Sequence, residues 1–90
     1  MQEFANPPSL RNAIFDLLSS VELATEENVK LLDYTIELFK SNGLFSDYYG
    51  YHNVDHELEV TYVTLVAGKH SLEENYISKT DLNYLFASAL

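Results

Sequence analysis

The stretch Tyr51-His52-Asn53-Val54-Asp55-His56-Glu57-Leu58-Glu59-Val60-Thr61-Tyr62-Val63-Thr64-Leu65-Val66-Ala67-Gly68 can be read two ways. Val60-Thr61-Tyr62-Val63-Thr64 has the β-branched and aromatic content of a strand. Val54, Leu58, Thr61, Tyr62 and Leu65 instead share one helical face, and strict alternation is absent. The pattern decides for a helix. Asn53 can cap its start, the helix is predicted to run to about Ala67, and Gly68 stands behind it as the stop.

The segments on either side agree with a helical fold. Leu10, Ala13, Ile14, Leu17, Leu18 and Val21 recur at helical spacing, with Ser9 as a possible cap and Pro7-Pro8 just outside or in the first turn. Thr25 can cap a second helix to about Asn42, where Gly43 is a suitable terminator. Glu26 and Glu27 complement its positive end, and Val29, Leu32, Ile36 and Phe39 form the predicted inner stripe. Leu44 to His52, with Phe45, Tyr48, Tyr49, Gly50 and Tyr51, reads as an aromatic connector. Gly68 to Asn75 is polar and reads as a loop. A fourth helix can start at Ser78 or Thr80 and carries Leu82, Tyr84, Leu85, Phe86, Ala87, Ala89 and Leu90 almost all round. A helix apolar on every side needs neighbours on every side. The expectation is an all-α fold, a small helical bundle of about four helices in a single domain spanning 1–90. Residues 80–90 should pack on the rest of a longer polypeptide, another subunit or a second copy.

Composition narrows the function. With 47% hydrophobic residues the chain can build a core, and with no cysteine it has neither disulfides nor thiolate ligands. No apolar run approaches a membrane span and no signal-peptide layout is present, so a cytoplasmic protein is the default expectation. The net charge of -9 disfavours binding a nucleic-acid polymer. A small phosphorylated substrate remains compatible, because a bound metal supplies positive charge locally.

The chemistry concentrates at residues 51–60. His52 and His56 are four apart and can face the same space, and imidazole is a common metal ligand. If Asn53 is the cap, its side-chain oxygen can accept from the backbone N–H of Asp55 or His56, which would fix where His56 points. A His pair at this spacing also occurs on solvated helix faces, and two ligands do not complete a site. Asp55 and Glu59 could form a carboxylate pair beside the histidines, but acids in a first turn more often serve the helix dipole. Tyr48, Tyr49 and Tyr51 could stack on a base or pack the connector against helices.

The string resembles the Tyr-His-Asn-x-x-His-x-x-x-Val motif of HD-superfamily phosphohydrolases related to cyclic-nucleotide phosphodiesterases. The match covers Tyr51, His52, Asn53, His56 and Val60, with Glu59 where those phosphodiesterases usually place Asp. A small-and-leucine-rich helix like that ending in Phe86-Ala87-Ser88-Ala89-Leu90 precedes the family's adjacent His-Asp pair. The resemblance implies that His56 is the first ligand of a divalent metal, that His52 protonates the leaving oxygen, and that Asn53 and Tyr51 orient the site. It further implies hydrolysis of a phosphate ester, possibly of a nucleotide or cyclic nucleotide.

One departure limits this chain. No His-Asp pair occurs among the 90 − 56 = 34 residues after His56, and the only later histidine is His70, expected in the polar loop. The chain reads as the N-terminal part of such a domain, with the other ligands supplied from beyond residue 90 or by another chain. Alone it is expected to be inactive. The alternative is a noncatalytic helical interaction or oligomerisation module that retains the motif.

Overall fold

A computed structural model describes residues 7–44 and 53–90 of the chain. Four α-helices occupy these residues: α1 (Pro7–Ser20), α2 (Glu26–Ser41), α3 (Val54–Glu73) and α4 (Lys79–Ala89). The all-α expectation holds. None of the helices among the described residues is long and apolar enough to cross a membrane.

Each boundary follows from local chemistry. Helix α1 starts at Pro7, so Ser9 lies inside its first turn instead of capping it. Proline suits that place because its φ is already helical and it has no N–H to leave unpaired. Thr25 caps α2 by accepting from the Asn28 N–H at 3.2 Å. Ser78 caps α4 in a reciprocal box, its Oγ accepting from the Asp81 N–H at 3.1 Å while Asp81 accepts from the Ser78 N–H at 3.0 Å. Helices α1, α2 and α3 end alike, with Glu22, Gly43 and Asn75 at φ of 62, 72 and 63°. In each, the next residue's N–H reaches back to close the turn: Leu23 to Leu18 O, Leu44 to Phe39 O and Tyr76 to Ser71 O.

Helix α3 is the centre of the fold, packed against both α1 and α4, with a smaller contact to α2. Leu10, Ile14 and Leu18 of α1, with Val21 in the turn after it, meet Val54, Leu58 and Leu65 of α3 and Leu82 and Phe86 of α4 in one core. Helices α3 and α4 form an antiparallel hairpin. Near one end Leu82 lies over Gly68, and near the other the buried Thr61 Oγ1 lies 3.0 Å from Glu57 O and 3.4 Å from Ala89 O.

Two expectations need correction. Gly68 does not stop α3, which continues to Glu73, so the loop is confined to residues 74–78 and His70 lies in the last helical turn. The glycine is there because α4 crosses it: a Cβ would drive into the Leu82 Cδ1 methyl. The inner stripe of α2 is Asn28, Leu32 and Thr35, with Val29, Ile36 and Phe39 only partly buried. Polar links set that rotation, since Asn28 Nδ2 lies 2.8 Å from Leu23 O and 2.6 Å from Asn83 Oδ1. Arg11 adds a two-pronged pair to Asp33, both contacts at 3.0 Å, while stacking over Phe15. That pairing holds the guanidinium above its ordinary pKa. As its nearly all-round apolar sequence leads one to expect, α4 is not fully enclosed by the other described helices. Leu82 and Phe86 are fully buried, whereas Tyr84 and Leu85 remain 69% and 41% exposed.

Candidate functional site

The first turn of α3 is fixed from two directions. Asn53 is extended (φ -99°, ψ 170°), and its Oδ1 accepts from the His56 N–H at 2.8 Å. The Val54 N–H donates to Leu44 O, also at 2.8 Å, so the end of α2's closing turn is tied directly to the start of α3. Val54 itself is completely buried. These bonds satisfy donors that a helix start otherwise leaves unpaired, and removing such a cap costs about 0.5–2 kcal/mol. Of the two alternatives open to Asn53, the structure selects His56.

The direction of His56 follows from the helix. Val54, Leu58, Thr61, Leu65 and Gly68 are the buried positions of α3. His56, Val60, Val63 and Ala67 repeat the same spacing two residues later, about 200° round the axis. They lie on the face turned away from α1 and α4. That face is open, with Val60 and Val63 exposed by 42 and 58%, and Val66 beside it is 45% exposed. His56, half-buried, stands at its head.

The other candidates separate. Tyr51 and His52 lie outside the described residues, as do Phe45, Tyr48 and Tyr49. Asp55 is half-buried and Glu59 exposed, and the acids of the first turn, Asp55 and Glu57, complement the helix's positive end. His70 is exposed 14 residues beyond His56 on the same helix, about 21 Å along the axis, so the two cannot share one ion within a chain. Among the described residues no cluster of three His, Asp or Glu side chains could hold a metal. His56 by itself does not make a complete ligand set.

Comparison of the chain with protein-family models, curated proteins and solved structures gave no match.

Proposed function

We propose that this chain is the N-terminal part of an HD-type, metal-dependent phosphohydrolase acting on a phosphate ester such as a nucleotide or cyclic nucleotide. The observation that carries the reading is the Asn53 cap on the His56 N–H, which sets His56 at the head of the open face of α3. In this reading His56 binds a divalent ion, His52 acts as the acid toward the leaving oxygen, and Tyr51 and Asn53 hold the geometry. Because the described residues do not complete a metal site, further ligands are assigned to polypeptide beyond residue 90 or to another chain. The open face of Val60 and Val63 is the side from which they would approach.

A second reading is favoured by that same face together with the exposed Tyr84 and Leu85: a noncatalytic helical interaction module. Self-association without metal would favour it. Under the first reading the isolated 90-residue chain shows no meaningful turnover of bis-p-nitrophenyl phosphate or cyclic nucleotides with manganese or magnesium, since one imidazole cannot hold and activate a metal-bound water. Robust turnover left intact by His56→Ala would place the active site elsewhere.

A further inference from the structure

The chain contains a single Asn-Gly step, Asn42-Gly43, and it forms the closing turn of α2. We propose that Asn42 is a site of spontaneous deamidation, gated by this turn, and that its product loosens the anchor of α3. In the reaction the Gly43 backbone nitrogen loses its proton and attacks Asn42 Cγ. The bond from Cγ to Nδ2 breaks, ammonia leaves, and a five-membered succinimide remains. Water then opens the ring to aspartate or isoaspartate. Glycine favours the attack because no Cβ blocks the approach of its nitrogen. The other asparagines precede Ala13, Val29, Val54, Tyr76 and Tyr84, or Pro7, whose nitrogen has no proton to lose.

Both residues are exposed to water, yet both reacting groups are engaged. The Gly43 N–H donates to Lys40 O at 3.1 Å, and Asn42 Nδ2 donates to Leu38 O at 2.8 Å. The turn must open before the nitrogen can reach Cγ, so the folded chain reacts at a rate set by local unfolding of this helix end. The product has a carboxylate where Leu38 O had a donor, at the negative end of α2. Gly43 leads directly to Leu44, whose N–H donates to Phe39 O and whose carbonyl accepts from the Val54 N–H, both at 2.8 Å. Loosening the turn therefore releases the bond that pins the start of α3. The inference uses only this turn and is independent of the phosphohydrolase reading.

Peptide mass mapping of the full chain, incubated at mildly alkaline pH with and without urea, tests the first half. Asn42 should deamidate before every other asparagine, and at least about tenfold faster in urea than in the folded chain. Hydrogen exchange on Asn42→Asp tests the second half, with the Val54 amide exchanging several-fold faster than in the parent. Deamidation at Asn42 no faster than at Asn12, no acceleration by urea, or parental exchange at Val54 would overturn the proposal.

Discussion

Phe86→Ala is expected to remove about 3–5 kcal/mol of stability, the usual cost of deleting a buried phenyl ring. Phe86 is the largest fully buried side chain among the described residues and joins α4 to the core shared by α1 and α3. The truncation loses the ring's burial and leaves a cavity between helices that Thr61 and Gly68 already hold close. A chain of this length has a total stability of only about 5–13 kcal/mol, so the variant should be partly unfolded or nearly so in buffer. Urea denaturation followed by far-ultraviolet circular dichroism gives the value. A midpoint near the parent's would mean that α4 is not docked as described.

Gly68→Val should cost about 1–3 kcal/mol through overpacking. The new Cβ would enter the space of the Leu82 Cδ1 methyl, and Leu82, itself fully buried, would have to shift within a packed core to admit it. The direction is informative because helix propensity points the other way: glycine is the poorest ordinary residue inside a helix. Ala67→Val is the control, one residue away and exposed, and should be close to neutral. Equal effects at 67 and 68 would argue against α4 crossing at Gly68.

These positions also show what could be read in the sequence. Helix identity was legible wherever one apolar stripe and a capping residue coincided, as with Thr25 and Asn53. Gly68 misled because a glycine that ends a helix and one that admits a neighbouring helix look alike locally; the difference is Leu82, 14 residues away. The rotation of α2 was hidden for a similar reason. Val29, Ile36 and Phe39 outweigh Asn28 on hydrophobicity, but Asn28 is buried by bonds to Leu23 and to Asn83, 55 residues on. In the candidate site the cap was legible because it is local, a side chain bonding three residues ahead. Which side of α3 is covered depends on distant elements. The open face emerged only when α1 and α4 were placed.

Manganese can report directly whether His56, in the capped turn on the open face of α3, is the metal ligand that we propose. Nuclear magnetic resonance of the folded chain during addition of the paramagnetic ion maps where the ion dwells. Our account predicts weak binding, with line broadening centred on His56 and its neighbours in the first turn of α3, and loss of that broadening in His56→Ala. Broadening centred on acidic groups elsewhere, such as Glu73 and Glu74, and unchanged in His56→Ala would contradict it.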